Sequence, residues 1–246
     1  MVMPCKIFNI CYNRGVYPLF FIVNMQLFQE NEEFKTYHLF SIPLMSFDYG
    51  KISEDEHDIF KRYLNNLKQN RINLTTKENY FLDKELPLLK RFFKKCLKTY
   101  ANNIIFGGSK ERNEVEFKIT QSWLNVSRVG SLGHHEHTHP NSYISGVFYI
   151  NVDETRDGIT FINEFNSRKG IEVVASEYNT FNASEWIYPV KEGELVIFPS
   201  HLIHYVKPIE TGNFDRVSLA FNAFPFGNLG DPESLHGLHI GNDKYN

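Results

Sequence analysis

Residues 194–208 read ELVIFPSHLIHYVKP. An apolar run from Leu195 to Phe198 stops at Pro199, and a second run restarts at Ile203. Proline cannot donate to a sheet ladder, so a strand ends there, turns and begins again. This gives candidate strands at 194–198 and 203–208. Outward from this pair the period-two pattern continues on both sides. Further candidate strands are 115–128, 142–151, 158–164, 171–175, 186–190 and 215–223, most of them separated by Gly, Asn or Asp. Many short strands at such spacing predict a sandwich or barrel, with a jelly roll as one closed solution. The 22 Phe and 13 Tyr suit this β-rich reading, since aromatic side chains fit a pleated surface well.

Upstream of residue 115 the pattern is helical. Residues 38–46, HLFSIPLMS, read as a short strand. Ser53 followed three residues later by Glu56 predicts a capping box. Beyond it Ile59, Phe60, Tyr63, Leu64 and Leu67 recur at helical spacing to about Gln69. A second helix is predicted after Asp83, with Leu88, Leu89, Phe92, Phe93, Cys96, Leu97 and Tyr100 on one side and basic residues on the other. The expected fold class is mainly β with N-terminal helices, a jelly roll braced by two or more α-helices. The chain divides into an uncertain leader or alternative start at 1–24, a strand and helices at 25–112, and a catalytic core at 113–246, as one structural domain overall.

Whole-chain properties narrow the function. At 246 residues the chain buries enough surface to need no covalent staple. A formal net charge of −3 argues against a nucleic-acid grip driven by bulk charge. Cys5, Cys11 and Cys96 are scattered and odd in number, which fits a reducing cytoplasm. The apolar run from Val16 to Val23 is too short to span a bilayer, and Pro18 makes it a poor signal peptide. Met25 opens a more polar stretch and offers an alternative start. No membrane or nucleic-acid partner is expected, and the oligomeric state is not legible.

Histidines carry the strongest chemical signal. Of the ten in the chain, His134, His135, His137 and His139 form one cluster, and His201 and His204 another. On extended backbone, residues i and i+2 point to one side, so His137 and His139 can approach one metal together. His204, from the restarted strand, is the candidate third ligand. Two other pairings remain open: His134 with Glu136, a literal His-x-Glu, and His135 with His137. Arg216 lies twelve residues beyond His204, with Ser218 on the same strand face. A buried guanidinium demands an anion and matches a carboxylate with a bidentate fork. An internal Glu would satisfy the same arginine.

The segments Gln121-Ser122-Trp123-Leu124-Asn125, His137-Thr138-His139-Pro140 and Ser145 to Ile150, followed by Phe198-Pro199-Ser200 to His204 and by Arg216-Val217-Ser218, resemble the 2-oxoglutarate/iron(II)-dependent oxygenases of bacteria and phages. The prolyl hydroxylases are better-studied members of the same superfamily. The resemblance covers roughly 115–225 and implies a double-stranded β-helix, an Fe(II) centre at His137, His139 and His204, and 2-oxoglutarate as cosubstrate. It further implies that Arg216, in an Arg-x-Ser pattern with Ser218, binds the cosubstrate carboxylate; alternation along the strands adds Ser218, Tyr149 and Asn125 as candidate cosubstrate contacts. The implied reaction couples decarboxylation of 2-oxoglutarate to succinate with O2-dependent oxidation, by hydroxylation, of an unidentified small molecule or peptide side chain. One departure stands out: His139 occupies the position where the superfamily's usual triad has a carboxylate. A cupin-like metal or small-molecule binding protein is the alternative reading. It lacks an acid shortly after His139 and leaves Arg216 without a purpose.

Overall fold

The computed structural model describes residues 41–69, 73–83, 86–107, 115–167, 170–171, 173–210, 215–231 and 233–241. The leader read at 1–24 lies outside the described residues, as do positions 38–40 of the first candidate strand.

Two antiparallel sheets carry the site. The larger is built from β1 (Met45–Asp48), β2 (Leu67–Gln69), β3 (Leu74–Thr76), β4 (Val115–Ser127), β6 (Ile144–Asn151), β9 (Glu194–Pro199) and β11 (Arg216–Leu229), in the order β1-β9-β6-β11-β4-β3-β2. The short β12 (Leu238–Ile240) pairs with the far end of β11. The smaller sheet runs β5-β10-β7-β8, from β5 (His134–His137), β7 (Gly158–Ile162), β8 (Glu185–Pro189) and β10 (His204–Val206).

Alternation on β11 gives the large sheet two unlike faces. Val217, Leu219 and Phe221 lie in an apolar core beneath the helices, with Leu124, Phe148 and Ile197 from neighbouring strands. The other face carries Arg216, Ser218, Ala220 and Asn222. Between the two sheets lies a second, smaller core of Tyr149, Ile159, Phe161, Val196, Phe198 and others. Helices, large sheet and small sheet therefore stack as three layers around two cores.

Helix α1 (Glu54–Leu64) begins with the expected capping box. The Glu56 N–H donates to Ser53 Oγ at 3.3 Å and the Ser53 N–H to Glu56 Oε2 at 3.0 Å. Helix α2 (Pro87–Tyr100) starts with proline, whose fixed φ and missing N–H suit the first turn. Its Leu89, Phe93, Cys96, Leu97 and Tyr100 recur at helical spacing and are all buried. Phe93 packs its ring 5.6 Å from Phe148 and 5.4 Å from Phe221. Phe221 in turn lies over Gly146, where any Cβ would collide with its ring. None of the described helices is long and apolar enough to cross a membrane.

Some expectations need correction. Helix α1 ends at Leu64, not near Gln69, because Leu67–Gln69 leaves to pair with Leu74–Thr76 as β2. The strand read at 171–175 does not form among its described residues. Ile171, Val173 and Val174 stand about 80% exposed, so that apolar run has no sheet to bury it. Strand β11 runs to Leu229, beyond the expected 223, because β4 and β12 pair with its extension. The α2 helix continues into a π turn at Ala101–Ile105 that the sequence pattern did not reveal.

Candidate metal centre and cosubstrate pocket

The small sheet brings the two histidine clusters together. His204 opens β10 directly opposite His137, the last residue of β5, and opposite Phe161 on β7. His139 lies two residues past β5, where its backbone N–H donates to the Ser200 carbonyl at 2.9 Å and keeps the chain extended. One ligand atom from each of His137, His139 and His204 falls within 4.8 Å of the others.

Each of the three rings spends its Nδ1 on an oxygen. His137 Nδ1 meets the His135 carbonyl at 2.7 Å, His139 Nδ1 meets Asn222 Oδ1 at 2.7 Å, and His204 Nδ1 meets the Leu202 carbonyl at 2.8 Å. An oxygen acceptor on Nδ1 places the ring proton there and leaves Nε2 as a lone pair. The Nε2 atoms of His139 and His204 then face each other at 3.2 Å with no proton between them. Two opposed lone pairs at that distance repel unless a cation lies between, so the donor set fits a divalent metal held by imidazole nitrogen. Burial, and then the neighbouring His137, holds His139 down at about 4 and His204 at about 3, while burial lowers His137 as well. The rings are therefore neutral near pH 7, as metal ligation requires.

Asn222 organises the centre from beneath. Its Oδ1 accepts from His139 Nδ1 and from Ser145 Oγ at 2.9 Å, and its Nδ2 donates to Gln121 Oε1 at 2.9 Å. Gln121, Asn222 and Ser145 stand abreast on β4, β11 and β6, so the sheet register itself assembles the network. Trp123 stacks on His139 at 5.9 Å between ring centroids.

The polar row continues along the same face. Asn125, Ser218 and Tyr149 stand abreast on β4, β11 and β6, and Arg216 is paired with Ser127. Arg216 is 6% exposed and donates to Ser127 Oγ at 3.0 Å. Its nearest acid is Asp157, at 3.9 Å, which also holds Arg156 at 3.2 Å. The internal acid is thus an aspartate, not the glutamate of the alternative reading, and it is too distant from Arg216 for a hydrogen bond. Burial pushes the Tyr149 hydroxyl up, with Arg216 opposing that shift, so the phenol stays protonated. Asn125 spends its Oδ1 on Asn73 at 3.0 Å and on Trp123 Nε1 at 3.2 Å, leaving its amide nitrogen as the group to offer a ligand.

Residues 121–222 match the family described as "Putative 2OG-Fe(II) oxygenase". Over that segment the chain is similar to the 2OG-Fe(II) oxygenases. The segment holds both histidine clusters, Arg216 and the whole polar row. That description names an oxygenase class that uses 2-oxoglutarate and Fe(II). Among solved structures, the alpha-ketoglutarate-dependent epimerase SnoN of nogalamycin biosynthesis shares the fold, with a TM-score of 0.50 at 8% identity over 74% of this chain and 78% of that one. A prolyl-4-hydroxylase from Pseudomonas putida aligns with a TM-score of 0.46 at 15% identity, covering 74% of this chain and 92% of that one. HygX from Streptomyces hygroscopicus, with nickel, 2-oxoglutarate and hygromycin B bound, gives 0.48 at 7% identity over 74% and 82%. No curated protein matches the chain.

The structure separates the remaining sequence candidates cleanly. His135 and Glu136 are exposed, and Glu136 lines an open cleft with Glu164 and Glu185 instead of joining the three histidines. His201 and His236 are exposed, and His239 meets Asn228 Oδ1 at 2.7 Å on the β11–β12 hairpin. The residues that sequence reasoning missed are Asn222, Ser127 and Asp157. Asn222 was within reach: it lies six residues after Arg216 on one strand, so alternation puts it on the same face.

Proposed function

We propose that this protein is a 2-oxoglutarate- and Fe(II)-dependent oxygenase acting as a hydroxylase, coupling the oxidative decarboxylation of 2-oxoglutarate to succinate with hydroxylation of an organic substrate. The observation that carries the reading is the convergence of three Nδ1-anchored imidazoles on one face, beside a buried arginine whose internal counter-ion sits beyond hydrogen-bond range. His137, His139 and His204 would hold Fe(II), and the iron supplies the O2-dependent oxidation when bound. A neutral three-histidine set leaves the full metal charge for a dianionic cosubstrate to offset. Arg216 and Ser218 bind its distal carboxylate, Tyr149 offers a protonated hydroxyl beside them, and Asn125 offers its amide N–H groups from the same row. Asn222 and the backbone carbonyls of His135 and Leu202 orient the three rings and keep their protons off Nε2.

The two facing sheets support a double-stranded β-helix, with α1 and α2 bracing the outer face of the larger sheet. Because helices and strands share one core, the described residues are read as one structural domain. The sparse, scattered cysteines, with Cys96 a buried free thiol, support a cytoplasmic enzyme. The oxidised substrate is an organic molecule or a peptide side chain, and O2 is the co-reactant.

An anaerobic titration of 2-oxoglutarate into the Fe(II)-loaded protein tests the centre. A saturable charge-transfer band in the visible is expected. Iron binding without a band would favour a cupin-like binding protein, and absence of iron binding would remove both readings. In turnover with candidate substrates, the product should gain one oxygen atom for each succinate formed. Succinate formed with an epimerised or cyclised product would exclude hydroxylation.

A further inference from the structure

His134 leaves its Nε2 buried and without a hydrogen-bond partner. It is not one of the three convergent ligands, yet its ring packs edge-on 5.6 Å from that of His137. A bulge explains the placement. β10 spans His204 to Val206 in two steps while β5 spans His137 to His134 in three, so the extra residue turns both rings to one side. Gly133, at φ +75°, fixes the approach: a Cβ there would run into the carbonyl of Val206 and the backbone at Pro208. The same ring lies within electrostatic reach of Arg216, of His137 and of His139. It therefore lies beside the metal centre and within reach of the anion anchor, on a segment that the backbone holds in place.

A buried ring nitrogen without a partner is costly whether it carries a proton or a lone pair, and native structures retain few of them.

We propose that His134 donates a hydrogen bond from Nε2 to a carboxylate of bound 2-oxoglutarate, in the space between Arg216 and the three-histidine centre. This rests on the cosubstrate reading above and adds a positioning residue to it. The test is the anaerobic charge-transfer titration with 2-oxoglutarate on wild type, His134→Leu and His134→Gln, with Fe(II) affinity measured separately on each. Leucine should weaken 2-oxoglutarate binding by about ten- to a hundredfold with Fe(II) affinity unchanged. Glutamine, which still donates, should recover much of the loss. If the leucine variant fails to fold, His134→Asn, too short to reach, should show the same weakening. Unchanged 2-oxoglutarate affinity in the leucine or asparagine variant would overturn the proposal, and so would loss of Fe(II) binding, which would make His134 a ligand. A wild-type protein that binds Fe(II) but gives no band fails earlier, taking down the cosubstrate reading itself.

Discussion

Asn222 steers His139 from the floor of the site, and one amide there serves three neighbours. Replacing it with Ala strips the acceptor from His139 Nδ1 and frees that ring to change tautomer or rotate. Removal of such an outer partner typically lowers metal affinity by about 10- to 100-fold, so Asn222→Ala should weaken Fe(II) binding by that factor in an anaerobic competition titration. Equal affinity would show that His139 needs no orienting partner. On the proposed reading Arg216 makes the complementary case, acting on the cosubstrate instead of the metal. Arg216→Ala leaves a carboxylate without its counter-ion, a loss of ~3–5 kcal/mol. The 2-oxoglutarate titration midpoint should therefore rise by at least ~100-fold while Fe(II) affinity holds. At this scale the sequence was informative about residues that repeat or break pattern. His137, His139 and His204 were legible because histidines cluster, and Arg216 because a charge stood in a strand of apolar neighbours. The partners on Nδ1 were not legible, since two are backbone carbonyls and the third is an ordinary asparagine in a long strand.

Among the elements, α2 and β11 are joined through aromatic rings rather than through polar contacts. Phe93, fully buried, touches Phe148 on β6 and Phe221 on β11. Phe93→Ala should cost ~3–5 kcal/mol, read as a lowered denaturant midpoint with little change in slope. A loss below ~1 kcal/mol would mean that the helix is a detachable cover. The helices themselves were legible from their 3.6-residue period and, for α1, from its capping box. The strand misread at 171–175 shows what periodicity omits: a run of Ile and Val becomes a strand only where another strand offers hydrogen bonds. The four-residue β5 was too short to announce itself, and its bulge depends on how β10 lies against it. The correspondence of β4, β11 and β6 across the polar rows is a property of register, which no single strand encodes.

At the scale of the molecule, the metal-free protein carries a group of buried imidazoles with lowered proton affinity. His134 and His139 are held near 4 and His204 near 3, against about 6.5 in an unfolded chain. Between those values the unfolded chain binds more protons than the native one, so stability rises with pH and is lost as pH falls from about 6.5 toward 4. The melting temperature of the metal-free protein should drop by about 5 °C or more between pH 7 and pH 5. Bound Fe(II) should raise the melting temperature at pH 7 and add less at pH 5, because protons compete for the same nitrogens. A metal-free melting temperature that stays flat across this range would mean that the three rings take up protons without opposing the fold.

Strand β11 also acts as a gauge. It carries Arg216 at one end of the pocket and, six residues on, the amide that aims His139 toward the metal. Only every second position on a strand faces that pocket, so the next usable places for the arginine lie about 7 Å away. The span from anchor to iron can then be altered only in coarse jumps, none as small as a single methylene. On the proposed reading, diacids one carbon longer or shorter than 2-oxoglutarate are rejected by the pitch of the backbone itself, and relaxing that choice would take a new anchor on another strand.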